Sequence, residues 1–175
     1  MLLICKYILL LPQCIWCLCI NIGSLKTMLS KTRAHQILLI EDNPGDVRLT
    51  QEAFKESKKD INLEVVTDGI EAIKFLRKEG EYANKPTPDL ILLDLNLPKW
   101  DGREVLGTIK TDSQLKRVPV VVLTTSNAGV DILKSYDLHA NCFINKPIDF
   151  DKFFEIIHKI EDFWLSTAIL PTSIP

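Results

Sequence analysis

Residues 90–102 read LILLDLNLPKWDG. Four apolar residues run up to Asp94 without a polar break, which suits a short strand buried on both faces. Leu95–Asp101, with Pro98, reads as a loop, and Gly102–Lys110 as a helix. A strand closing on a carboxylate is informative, because open α/β sheets bind ligands beyond the carboxyl ends of their strands.

The same unit recurs on either side. Upstream, Gln36–Ile40 (QILLI) predicts a first strand, and Pro44, Gly45 and Asp46 open a helix ending near Ser57. Proline is tolerated there because the first-turn N–H would be unpaired anyway. Leu63–Thr67 predicts a second strand, Asp68 caps a helix over Gly69–Glu79, and Gly80 stops it. Downstream, Val118–Thr124 is a fourth strand, Ser126 caps a helix from about Ala128 to Tyr136, and Cys142–Asn145 is a fifth strand. Asp149 then caps a last helix running to about Leu165, and Ser166–Pro175 is a loose tail. Five strand–helix alternations imply an α/β fold, a parallel sheet covered by helices on both faces.

That topology gathers residues distant in sequence. Strand one ends in Glu41-Asp42, strand three in Asp94, strand four in Thr124, and strand five beside Lys146. Singly, each has a bland reading as a cap or a solvated side chain. Together they set three acids, a hydroxyl and an ammonium on one edge. Clustered carboxylates repel and call for a cation. Oxygen donors with room for water suit Mg²⁺. An Asp beside such an ion is a nucleophile toward phosphorus, and lysine and hydroxyl donors serve the phosphoryl oxygens.

The motifs IEDNPGD (Ile40–Asp46), ILLDLNLP (Ile91–Pro98) with Asp101-Gly102, LTTS (Leu123–Ser126) and NKP (Asn145–Pro147) resemble those of the two-component receiver domain. Their separations fit too, and the resemblance spans about Gln36 to Trp164. It implies a doubly wound, flavodoxin-like sheet of order 2-1-3-4-5 with five helices. Asp94 would accept a phosphoryl group from a sensor histidine kinase. Asp42 would hold Mg²⁺ directly, Glu41 partly through water, and Asn96 through its main-chain carbonyl. Lys146 and Thr124 would bind the phosphoryl group, Phe143 would take the aromatic switch position, and the bond to Pro147 would be cis. The stretches EDNPGD, SYDLHANCFINKP and FWL look further like small regulators paired with cyanobacterial phytochrome kinases. Glu41 departs from the commoner Asp, Phe143 lacks a hydroxyl, and His139 stands where glycine is usual.

Rival readings are weaker. A haloacid-dehalogenase-type phosphatase wants a second Asp two places after the first, where this chain has Asn96. A flavodoxin-like flavin carrier wants a hydroxyl- and glycine-rich phosphate loop, and EDNPGD is acidic. A degenerate receiver acting as a phosphorylation-independent interaction module is the remaining alternative, disfavoured because Asp42, Asp94, Thr124 and Lys146 are all present. No separate output domain is expected, so the signal would leave by the receiver's own surface, including a homodimer through the fourth helix, fifth strand and fifth helix.

Composition bounds the partners. Net charge is -2 over 175 residues, with no basic block, so no nucleic-acid surface is expected. Residues 1–33 differ in kind: they hold four of the five cysteines and no charge between Lys6 and Lys26. They are read as an apolar leader outside the fold, with Met28 as the natural start. The rival reading is a membrane anchor, which Pro12 and Gln13 weaken. The regulator itself is expected at residues 34–165, in the cytoplasm. Cys14-x-x-Cys17-x-Cys19 lacks a second ligand pair, so zinc is not expected.

Overall fold

Strand β1, His35–Ile40, pairs with β2, Ile61–Val66, on one side and with β3, Leu90–Leu93, on the other. Strands β4 (Val120–Thr124) and β5 (Cys142–Asn145) complete a parallel sheet of order β2-β1-β3-β4-β5. This computed structural model describes residues 33–126 and 128–171. The apolar leader through residue 32, and the reading of Met28 as a start, lie outside the described residues.

Burial explains the composition of the strands. All four residues of β3 and all five of β4 are buried. Alternation sorts them to two faces. Leu38, Ile40, Ile91, Leu93, Val120 and Val122 join one cluster, covered by helices α2 (Gly69–Leu76) and α3 (Gly102–Thr111). Ile37, Leu39, Leu90, Leu92, Val121 and Leu123 join the other, covered by α1 (Pro44–Lys55) and α5 (Phe150–Asp162). Burying such a side chain fully stabilises by about 1.5–3 kcal/mol relative to exposure. Helix α4, Gly129–Asp137, is different: of its residues only Ser135 is buried.

Asp68 and Asp149 cap their helices as expected, and Asn43, not expected as a cap, caps α1. Asn43 accepts from the amides of Gly45 and Asp46, Asp68 from Glu71, and Asp149 from Lys152. Ser126 is not the cap of α4: that place falls to Ala128, whose side chain makes no cap bond. Helix α2 stops at Leu76, three residues before the expected Glu79, because Lys78 turns to φ 58°. The Lys78 amide bonds Phe75 O and the Glu79 amide bonds Lys74 O, closing the last turn without glycine. His139, at φ 62°, closes α4 likewise, with Ala140 N bonded to Ser135 O. Ile70, on the first turn of α2, is 43% exposed, and Cys142 is only partly buried. At the C-terminus α5 ends at Asp162 and Phe163–Thr167 form a π-helical turn. Leu165 and Leu170 are buried, so this part of the tail packs onto the domain rather than hanging loose.

Two glycines set the spacing around Asp94. A Cβ on Gly102 would lie 2.3 Å from the Asp94 carbonyl oxygen and 2.6 Å from Leu95 Cα. A Cβ on Gly69 would lie 2.6 Å from the Trp100 carbonyl oxygen. Helices α2 and α3 therefore close tightly on the loop that leaves Asp94.

Candidate functional site

Register decides which side chains meet. Ile40 is level with Leu93, so Glu41 and Asp94 leave adjacent strands side by side, and the Asp94 amide bonds Ile40 O at 3.0 Å. Thr124 is level with Asn145, and the Lys146 amide bonds Thr124 O at 2.8 Å. From there the lysine reaches back across the edge. Its Nζ donates to Asp94 Oδ2 at 2.7 Å, to Asp46 Oδ2 at 2.9 Å, and to Glu41 Oε2. An ammonium has three donors, and here three carboxylates take them. Glu41, Asp94 and Lys146 are all buried.

The charges do not balance. Burial pushes the Glu41 carboxyl up to about 7, against the pull of Lys146 beside it. Burial pulls the Lys146 ammonium down, but Glu41 and Asp94 outweigh it and hold it above its ordinary range. Three acids around one base leave a net negative edge, with Asp42 exposed next to Glu41. The oxygen donors of Glu41, Asp42 and Asp94, with the Asn96 carbonyl, are hard ligands that fit a Mg²⁺-type ion. Among the described residues no group of three His, Cys, Asp or Glu is disposed as a ready cage. An ion of this kind can bind through one or two carboxylates and keep several waters.

The hydroxyl wall lies opposite. Thr124 is buried, and its Oγ1 accepts from Asn96 Nδ2 at 3.3 Å and from the Ser126 amide at 3.4 Å. The Asn96 amide donates to Asp94 Oδ1 at 3.0 Å. Phe143 is half-buried, level with Val122, and packs on the first core cluster. The cis bond expected at Pro147 is corrected: no peptide bond among the described residues is cis. Trans is the lower-energy isomer of an X–Pro bond by about 0.5–1 kcal/mol, and Lys146 reaches its acids with it.

The structure thus brings Glu41, Asp94, Asn96, Thr124 and Lys146 into one bonded group. In the sequence Asp46 reads only as a helix opener. Because Asn43 does the capping, the Asp46 carboxylate is left to bridge from α1 to Lys146. The third acid of EDNPGD, the one behind the proline, was the available signal.

The chain is similar to known proteins. A family model described as the response regulator receiver domain matches residues 37–158. The response regulator Rcp1 of Synechocystis sp. is 52% identical over 137 residues, covering 78% of this chain and 93% of that protein. Among solved structures, the phosphorylated cyanobacterial phytochrome response regulator RcpA aligns with a TM-score of 0.78 at 57% identity, covering 79% of this chain and 99% of that one. The Mn²⁺-bound form of Rcp1 aligns with a TM-score of 0.76 at 52% identity, covering 78% and 99%.

Proposed function

The chain belongs to the response regulator receiver family, and on that premise we propose that Asp94 accepts a phosphoryl group from the phosphohistidine of a sensor histidine kinase. The observation that carries this reading is the buried contact between Lys146 Nζ and Asp94 Oδ2, at 2.7 Å within a ring of acids. An oxygen of the Asp94 carboxylate attacks phosphorus and the P–N bond breaks. The histidine nitrogen keeps the electron pair, and an acyl phosphate forms. Lys146 pairs with the acids before transfer and with a phosphoryl oxygen after it. The Thr124 hydroxyl donates to another phosphoryl oxygen. Asp42, Asp94 and the Asn96 carbonyl, with Glu41 partly through water, would hold Mg²⁺, which would supply positive charge against the incoming phosphoryl oxygens. Rcp1 has been solved with Mn²⁺, which supports a divalent ion here.

The partner we infer is a phytochrome-type kinase, because RcpA is a phytochrome response regulator by name. A cytoplasmic setting goes with such a partner. Among the described residues no helix is long and apolar enough to cross a membrane. The protein is a signalling phosphoacceptor whose catalysis is confined to its own phosphorylation and dephosphorylation. Output goes through a homodimer on the α4–β5–α5 face, where Val130, Leu133, Tyr136, Ile148 and Phe150 are at least half exposed.

The test is phosphotransfer. Asp94→Asn keeps the shape and removes the nucleophile, so incorporation of base-labile phosphate from a phosphorylated kinase should vanish. Undiminished labelling of that variant would overturn the assignment.

A further inference from the structure

Helix α4 carries the output face proposed above, yet little apolar burial holds its first turns. Val130 is 65% and Leu133 68% exposed, and its N-terminus has no side-chain cap. A polar clip stands there instead. The Asp131 carboxylate accepts from Arg103 of α3, at 2.6 Å from Nη2 and 3.0 Å from Nε, and from the Ser126 hydroxyl. Arg103 Nη1 also reaches Asp101 Oδ2 at 2.9 Å, and Asp101 caps α3 at the end of the loop from Asp94. On the other side, Ser126 is two residues from Thr124, and its amide donates to Thr124 Oγ1. A bonded chain therefore runs from Asp94 through Asn96, Thr124, Ser126 and Asp131 to Arg103.

We propose that Asp131 is a positioning residue: shared by Ser126 and Arg103, it fixes the β4–α4 loop, and so sets where the Thr124 hydroxyl and the outer face of α4 stand before phosphorylation. The proposal rests on the receiver reading for its trigger. When Thr124 turns to a phosphoryl oxygen, its bond from the Ser126 amide breaks, the loop moves, and Ser126 is drawn off Asp131. The clip then holds α4 by Arg103 alone, and the apolar residues flanking Asp131 are re-presented to a partner. Charge-assisted bonds in a fixed fork suit this task, because their strength depends on alignment.

The experiment is amide exchange of the full chain, without phosphodonor and then with acetyl phosphate and Mg²⁺. In Asp131→Ala and Arg103→Ala, residues 129–137 should exchange about tenfold faster before phosphorylation, as expected for losing one charge-assisted contact in a local opening. Helices α1 and α2 should be unchanged, and phosphorylation should add little further exchange in α4. Arg103→Lys, which keeps the charge but loses the fork, should restore only part of the protection, more than Arg103→Ala does. Wild-type exchange rates in α4 of Asp131→Ala would overturn the proposal, as would equal acceleration in α1 and α2. Failure of wild type to take phosphate would reject the receiver chemistry while leaving the clip measured in the first arm.

Discussion

Lys146 Nζ lies 2.7 Å from Asp94 Oδ2 although 52 residues separate them, and each is the other's buried counter-charge. Removing the lysine strands three carboxylates. Breaking a buried pair by deleting one partner costs about 3–5 kcal/mol. Lys146→Met should therefore lower the urea midpoint markedly, and added Mg²⁺ should restore more stability to it than to wild type. An unchanged midpoint would show that the acids tolerate one another without the ammonium.

Asp42 is exposed beside that pair. Phosphorylation by acetyl phosphate should require Mg²⁺ or Mn²⁺ and be lost in Asp42→Ala, because the phosphoryl oxygens arrive at an edge already negative. Full labelling in excess chelator would show that these acids hold no metal.

At the opposite end of the sheet, Lys110 Nζ donates to Val118 O and to Asn141 Oδ1, each at 2.8 Å, and burial pushes its ammonium down to about 8. Below pH 8 folded and unfolded chains both carry the charge, and the fold bears its desolvation in full. Between about 8 and the ordinary lysine value of 10.5 the unfolded chain binds more protons, so this residue makes stability climb with pH. Denaturant titrations of wild type and Lys110→Met should diverge over that window by of order 1–3 kcal/mol. Parallel curves would remove the effect.

Thr124→Ala should still accept phosphate but respond weakly. The buried Thr124 hydroxyl is the group free to turn toward a phosphoryl oxygen, and Phe143 on the next strand can use only packing. Sedimentation with and without beryllofluoride and Mg²⁺ should show tightened self-association in wild type and much less in the variant. Equal tightening in both would place the switch elsewhere.

Most of the architecture was legible because burial on two faces leaves an unmistakable record: LILL and VVVLT admit little but central strands. The acids at the strand ends were legible for a related reason, since topology alone carries them to one edge. Whatever depended on tertiary contact was not. Nothing local shows that Asp46, freed from capping by Asn43, would cross to Lys146, or that Ser126 would serve Asp131 rather than an amide. The early stop of α2 came from Lys78 taking a backbone turn that glycine usually takes. Leu170 is buried only because α5 and the turn after it lead the chain back onto the second cluster.

Gly102 draws these threads to a single position. With 2.3 Å between an added Cβ and the Asp94 carbonyl, not one methyl group fits between the nucleophile's backbone and the start of α3. Sequence drift at residue 102 is thus barred by space rather than by chemistry. A saturation library at this codon, selected only for folding and blind to signalling, should return glycine, and anyone redesigning the pocket inherits a wall whose thickness is already at its minimum.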